Sequence, residues 1–279
     1  MTEPLRSIVV LLALAAAALG AAPVLPTSAA PDQWAPAGSA TIRPGVQTYT
    51  NGTNQCTANF VFTDGTDVFI GQSAHCASTG AANETNGCLA ASMPLGTPVE
   101  VRGASRPGTL VYSSWLTMQG RGETNADACQ YNDFALVRLD PADHASVNPS
   151  VPVFGGPTGI ASTVGTGSTV YSYGSSSLRL GLSTLSPKEG LKTATKGGGW
   201  NHVVYTVTPG VPGDSGSGFL DAQGRAFGAL STLNVLPEPA GNGVADLANV
   251  LAYMHAHAAG FAGVQLVHGT EPFSGGRIL

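Results

Sequence analysis

Charged side chains are scarce. Asp, Glu, Lys and Arg make up 10% of the 279 residues, and the net charge is −5. The 12 Lys and Arg residues are scattered, so no basic patch offers itself to a nucleic-acid backbone. Cysteine is also rare, and no two of the 4 cysteines stand at the short spacing of a zinc knuckle. His255 and His257 fall two apart in a helical stretch, so their side chains point about 200° apart and do not chelate one metal. Gly197-Gly198-Gly199 lacks the Lys of a phosphate-binding loop. No segment repeats with a fixed period. These absences argue against nucleic-acid, zinc and nucleotide functions, and neither a metal nor a cofactor is expected.

The longest apolar run lies at the start. Residues 1–6 carry one basic side chain, Arg6, and residues 8–19 are purely apolar. Gly20, Pro23 and Pro26 follow, then the small residues Ser28, Ala29 and Ala30. That order is the pattern of a cleaved secretory signal. A bilayer-spanning helix needs about 20 apolar residues, and Pro23 interrupts the run before that length. Cleavage after Ala30 fits the small-residue rule, with a site near Ala22 as the alternative. The organisation expected is a signal at 1–30, a linker or short pro-segment at 31–41, one main folded domain at 42–260 and a tail at 261–279. The mature chain would be secreted, extracellular, monomeric and free of stable membrane association. Its four cysteines, Cys56, Cys76, Cys88 and Cys129, then favour two disulfides, for which counting alone leaves three pairings.

The 37 glycines suit a chain of short strands and tight turns. Runs of β-branched and aromatic residues, cut by Gly, Asn, Asp and Pro, predict strands at 58–63, 67–71, 99–102, 109–112, 134–139, 169–173, 203–207, 218–220 and 226–230. Asp64-Gly65 supplies the turn between the first two. No helices alternate with these strands, which points to an all-β sandwich or barrel. One helix is predicted near the end, over 246–259. Leu247, Val250, Leu251, Met254 and Ala258 share a face there, with Asp246 as N-cap and Gly260 as stop. The residues after it carry no clear signal and read as a loose tail.

Three short segments carry chemistry. In Pro212-Gly213-Asp214-Ser215-Gly216-Ser217-Gly218, glycines flank a serine. A serine hydroxyl is a weak nucleophile and needs a base and a site for the developing oxyanion. The glycines let the backbone turn tightly, so the N–H groups of Gly213 and Ser215 can converge on one point. Ser73-Ala74-His75-Cys76 follows the apolar run Val68-Phe69-Ile70 and places a histidine at a strand exit. Asn132-Asp133-Phe134-Ala135-Leu136-Val137 places an acid at the start of an apolar strand. Alone, each has an ordinary reading as a glycine turn, a surface histidine or a capping aspartate. The chain order His, Asp, Ser is that of chymotrypsin, not of subtilisins or α/β-hydrolases.

On these motifs the sequence resembles the chymotrypsin-like (trypsin-like) serine proteases, especially their secreted bacterial members, from about residue 42 to residue 259. Gln72-Ser73-Ala74-His75-Cys76 is similar to the family's Thr-Ala-Ala-His-Cys, and Asn132-Asp133-Phe134-Ala135-Leu136-Val137 to its Asn-Asp-Ile-Ala-Leu-Leu. Gly213-Asp214-Ser215-Gly216-Ser217-Gly218 is similar to its Gly-Asp-Ser-Gly-Gly-Pro, with Ser217 as a departure. The resemblance implies two six-stranded antiparallel β-barrels with a C-terminal α-helix, and a catalytic triad of His75, Asp133 and Ser215 in the cleft between the barrels. It implies Gly213 and Ser215 as oxyanion donors and a polypeptide as substrate. It also implies a Cys56–Cys76 disulfide, which leaves Cys88–Cys129 as the second pair.

For substrate binding the resemblance points to Pro209, Ser231, Thr232 and Leu233. Pro209 stands where trypsin-like enzymes place an acid, so cleavage after Arg or Lys is not expected. No histidine adjoins Ser231 as in glutamate-specific relatives. Leu233 falls where many relatives have a glycine, which implies a narrow pocket for small or apolar side chains. Ser231 is expected beside Asp133. Animal relatives pair a freed Ile N-terminus with the Asp before the catalytic Ser, so Ile42 and Asp214 could pair. Bacterial relatives often satisfy that Asp internally. The sequence leaves two rivals: a serine esterase, and a catalytically silent binding protein on the same fold.

Overall fold

A computed structural model of the chain describes residues 33–52, 54–81, 84–233 and 240–276. The signal segment expected at 1–30 lies outside the described residues. Among those residues, no helix is long and apolar enough to cross a membrane.

The N-terminal lobe is a curled sheet of short strands. They are β1 (Gln47–Thr50), β2 (Asn54–Thr57), β3 (Val61–Thr63), β4 (Val68–Gln72), β5 (Pro98–Val101), β6 (Gly108–Ser113) and β7 (Ala135–Arg138). At the Asp64-Gly65 turn between β3 and β4, Asp64 Oδ1 accepts from the amides of Thr66 and Asp67, each at 2.8 Å. Apolar residues of β4 and β7 then meet in register, with Ile70 opposite Val137. Val68, Ile70, Leu110 and Val137 are fully buried in the lobe's core with Ile42.

The C-terminal lobe is a closed barrel of β8 (Thr169–Tyr173), β9 (Pro187–Lys196), β10 (Asn201–Thr206), β11 (Gly218–Asp221), β12 (Ala226–Leu233) and β13 (Asn242–Asp246). Val170, Val204, Phe219, Phe227 and Val244 fill it. A third cluster lies between the lobes and joins Phe60, Phe62 and Phe134 of the first to Tyr171 and Leu220 of the second. Burying one such large apolar side chain stabilises by about 1.5–3 kcal/mol, so this cluster fixes the relative position of the lobes.

The late helix is present as Leu247–His257, and Asp246 caps it by accepting from the amide of Asn249 at 2.8 Å. Its buried side chains Leu247, Val250, Leu251 and Met254 join the interlobe cluster. Two helices without a counterpart in the sequence reading precede it in the chain. They are α1 (Ser114–Arg121) and α2 (Ala126–Tyr131), inserted between β6 and β7, so the late helix is α3. Both are too short to show a helical period, yet both are capped: Ser113 serves α1, and Asn125 accepts from Ala128 N at 3.0 Å in α2. The Cys88–Cys129 disulfide clamps α2 to the segment before β5.

The tail differs from expectation. Residues 261–276 are not loose but form a strap over both lobes. Val264 is fully buried, and β14 (Gln265–Leu266) pairs with β3 to become the eighth strand of the first sheet. The first lobe is therefore an eight-stranded open sheet, in the order β14-β3-β4-β7-β6-β5-β1-β2, beside one closed six-stranded barrel. Beyond β14, Phe273 sets its ring 5.5 Å from that of Tyr171 in the second lobe, and the Ser274 amide donates to Phe154 O at 2.7 Å. Phe261, Val264, Leu266, Val267 and Phe273 are too few and too unevenly spaced to give a helical period or a full strand pattern, so the contacts were invisible in sequence. The segment before Ile42 is also docked: Asn148 Nδ2 donates to Ala35 O at 2.6 Å.

Candidate active site

Strand β4 delivers His75. The strand ends at Gln72, and the hydroxyl of the next residue, Ser73, donates to Leu230 O at 2.9 Å and so ties the strand exit to the second lobe. The next turn, Ala74–Ala77, is a 3₁₀ helix that carries His75, and Cys76 within it is bonded to Cys56 on β2. The two cysteines beside His75 are thereby engaged in a disulfide and offer no thiolate to a metal.

Asp133 is delivered by the start of β7. Ser114, at the head of α1, pins this segment from both sides: its Oγ donates to Asn132 O at 2.7 Å and accepts from Phe134 N at 3.0 Å. Asp133 is 4% exposed and accepts from three donors. His75 N reaches Oδ1 at 2.9 Å, while His75 Nδ1 at 2.7 Å and Ser231 Oγ at 2.6 Å share Oδ2. Because a carboxylate only accepts, Nδ1 carries a proton and Nε2 is the basic nitrogen of neutral His75. Ser231 comes from β12, where the pairing with β13 shifts register between Leu230 and Thr232. Such a bulge re-aims one side chain, and here it turns the hydroxyl onto Asp133.

Burial alone would push the His75 imidazole down, but the Asp133 charge and hydrogen bond outweigh it and raise the group above its ordinary value. Burial likewise opposes the Asp133 charge. The imidazolium of His75 and the hydrogen bonds from His75 and Ser231 prevail, holding the carboxyl below the usual carboxylate range.

The Ser215 loop is strung between both lobes. Thr57 N donates to Ser215 O at 2.8 Å from β2, and Gly216 N donates to Leu230 O at 2.7 Å on β12. Two of its glycines are required. Gly213 has φ +96° and Gly216 φ +90°, in the left-handed region, and a Cβ on Gly216 would stand 2.5 Å from Thr57 O. Among the described residues, the amides of Gly213 and Ser215 donate to no protein acceptor, whereas those of Asp214, Gly216 and Ser217 are all bonded.

Asp214 is fully buried. Its Oδ1 accepts from Ser176 N at 3.1 Å, and its Oδ2 pairs with Lys188 Nζ at 3.0 Å and with Arg179. The loop is thus anchored by two internal cations. Ile42 lies in the core of the other lobe with its amide on Ser146 O, so the Ile42–Asp214 pairing is absent here. Sequence reasoning did not identify Arg179 or Lys188. A lone Arg among Ser and Leu, and a Lys in a strand rich in polar residues, both read as surface side chains.

His75, Asp133, Ser215, Gly213, Ser231, Thr232 and Leu233 line one cleft of about 810 Å³. Pro209 does not. It is exposed, and its carbonyl accepts from Lys188 Nζ at 3.2 Å and from Arg179 at 3.3 Å, so it supports the Asp214 anchor instead. Leu233 is 45% exposed in the lining. Among the described residues, no hydrogen bond joins His75 to Ser215. In unliganded serine hydrolases that bond is often long and tightens when substrate binds.

No protein-family model matches the chain, and no curated protein matches it. Solved structures do. Thermobifida fusca protease A shares 20% identity at a TM-score of 0.51, covering 82% of this chain and 99% of that one. A glutamic-acid-specific serine protease that uses a histidine triad in substrate binding shares 19% identity at a TM-score of 0.51, covering 81% of this chain and 100% of that one. The chain therefore has the fold of the bacterial chymotrypsin-like serine proteases, as its sequence motifs imply. At these identities, what the likeness carries is the fold.

Proposed function

We propose that the protein is a secreted serine endopeptidase that hydrolyses peptide bonds through an acyl-enzyme intermediate. The observation that carries this reading is the hydrogen-bonded His75–Asp133 pair, at 2.7 Å, lining the same cleft as Ser215 and the two unbonded amides of Gly213 and Ser215. In this scheme Nε2 of neutral His75 takes the proton from Ser215 Oγ as that oxygen attacks the carbonyl carbon. Asp133 fixes the tautomer and stabilises the imidazolium that forms. The Gly213 and Ser215 amides receive the oxyanion, and loss of one such donor typically costs about 100- to 1000-fold in rate. The imidazolium then protonates the leaving amine, and water repeats the sequence to release the acyl group.

The signal at 1–30 would be removed on export, and residues 42–260, completed by the strap that adds β14 to the first sheet, would form the catalytic domain. Two disulfides suit an oxidising extracellular setting. Ser231, Thr232 and Leu233 would border the bound acyl segment, with Leu233 narrowing the site toward small or apolar side chains.

The test is digestion of casein by the purified mature protein. Peptide products that disappear after treatment with a fluorophosphonate are expected. Hydrolysis of a nitrophenyl ester with casein left intact would favour an esterase. Absence of both would favour a silent binding protein.

A further inference from the structure

A second cavity, of about 550 Å³, lies beyond the wall of the cleft. The wall is the segment 175–186 between β8 and β9. Ser177 lines both spaces, Leu178 faces the cleft, and Leu180 and Leu182 face the second cavity. The charge of this cavity is unusual for an acidic chain. Its lining includes Arg43, Arg102 and Arg179 and no Asp or Glu among the described residues.

The three arginines are not equivalent. Arg179 is neutralised by Asp214. Arg43 donates to main-chain carbonyls, to Ala37 O at 3.0 Å and to Ser150 O at 3.2 Å. Burial pulls its guanidinium down from the ordinary value, and Glu271 on the strap offsets part of that at longer range. Arg102 is exposed, and no carboxylate pairs with it among the described residues. It is nonetheless held in place. Its Nη1 donates to Gln47 Oε1 at 3.0 Å, the Tyr49 hydroxyl donates to the same oxygen at 3.0 Å, and Gln47 Nε2 donates to Ser175 O at 2.6 Å. Gln47 thus fastens Arg102 to the wall of the cleft, and among the described residues the rest of its guanidinium fork has no protein acceptor.

Location gives this charge a use. From Ser215 the cleft extends two ways. One arm follows Ser231 to Leu233 on β12, where the acyl segment is placed in the proposed mechanism. The other is bounded by Gln55, Ser177 and Leu178; Ser177 also lines the arginine cavity, and Gln55 Nε2 and Gln47 Nε2 both donate to Ser175 O, at 3.2 Å and 2.6 Å. With the acyl segment placed on β12, the leaving-group side of a polypeptide bound across Ser215 would lie along this second arm.

We propose that Arg102, with Arg43 behind it, recognises an acidic side chain on the leaving-group side of the cleaved bond, so that the enzyme prefers substrates with Asp or Glu shortly after the scissile position. Arg102 is a specificity-determining residue in this role. The inference rests on the endopeptidase reading.

The test uses pairs of internally quenched peptides that differ only by Glu or Gln at each of the first positions after the cleaved bond. At one position the wild type is expected to favour Glu by about fivefold in kcat/KM, the scale of one partly exposed charge pair. That ratio should fall in high salt, which screens exposed charges. Arg102→Gln should bring it close to one, and Arg102→Lys should retain part of it. Arg121→Gln, which removes an exposed charge on α1, should leave the ratio intact. Thermal melting would confirm that each variant is folded. A Glu-to-Gln ratio of one in wild type that cuts both peptides, or an unchanged ratio in Arg102→Gln, would overturn the inference and leave the endopeptidase reading standing. If neither peptide is cut and no fluorophosphonate adduct forms, both fall together.

Discussion

Replacing Ser215 with alanine is expected to lower kcat on a peptide substrate by about 10⁶-fold, the scale seen when a triad nucleophile is removed. The reason is local. Ser215 Oγ is the one hydroxyl on the loop whose neighbouring amides, Gly213 N and Ser215 N, are unbonded and line the same cleft as His75. Ser217, two residues on, is buried with its hydroxyl unpartnered and does not line the cleft. A residual rate of about 10³–10⁴ over water would survive, because the oxyanion donors and the cleft remain. The fold should be untouched, since the main-chain bonds of Ser215 to Thr57 and of Gly216 to Leu230 do not use the side chain.

Asp133→Asn has the second-largest expected effect, a loss of about 10⁴-fold in kcat near neutral pH. An asparagine there can still accept from the His75 amide through its one oxygen, but its NH2 then replaces Oδ2, where it donates to His75 Nδ1, selects the wrong tautomer and removes the acceptor of Ser231. The pH profile separates this from a merely structural defect. In wild type the raised imidazole must lose its proton before it can act as base, so the acid limb of kcat/KM should lie above about 6.5, the ordinary histidine value. In the variant the supporting charge is gone while burial remains, and the limb should move down.

The same pair makes stability depend on pH. The raised His75 contributes stability that is fully present below its unfolded value and is lost as pH rises through its folded one. The lowered Asp133 contributes stability present above about 3.9 and lost as pH falls through its folded value. A melting-temperature series in pH should show the variant losing the acid-side dependence that Asp133 supplies.

The site was more legible in the sequence than the frame that holds it. Ser215, His75 and Asp133 each sit beside strands whose apolar runs fix their ends, and their chain order narrows the choice of fold. Strand β8 lies where the sequence places it, because Val170 and Tyr171 fall between clear turn signals. The β1–β2 hairpin and β9 escaped, because Gln47–Thr50, Asn54–Thr57 and Pro187–Lys196 are largely polar or carry glycine and charge. Their polar side chains are used inward: Lys188 meets Asp214, and the buried Thr48 donates to Gln72 Oε1 at 2.7 Å. Alternation of apolar and polar residues cannot register a strand whose interior face is polar. The strap at 261–276 escaped for a related reason, since its apolar anchors dock on partners far away in sequence.

Labelling with a fluorophosphonate, followed by mass spectrometry of the digested adduct, tests whether Ser215 is the nucleophile. One adduct per chain is expected, located on Ser215, abolished in Ser215→Ala and strongly slowed when His75 is replaced. An adduct on another residue, or undiminished labelling of folded Ser215→Ala, would contradict that role.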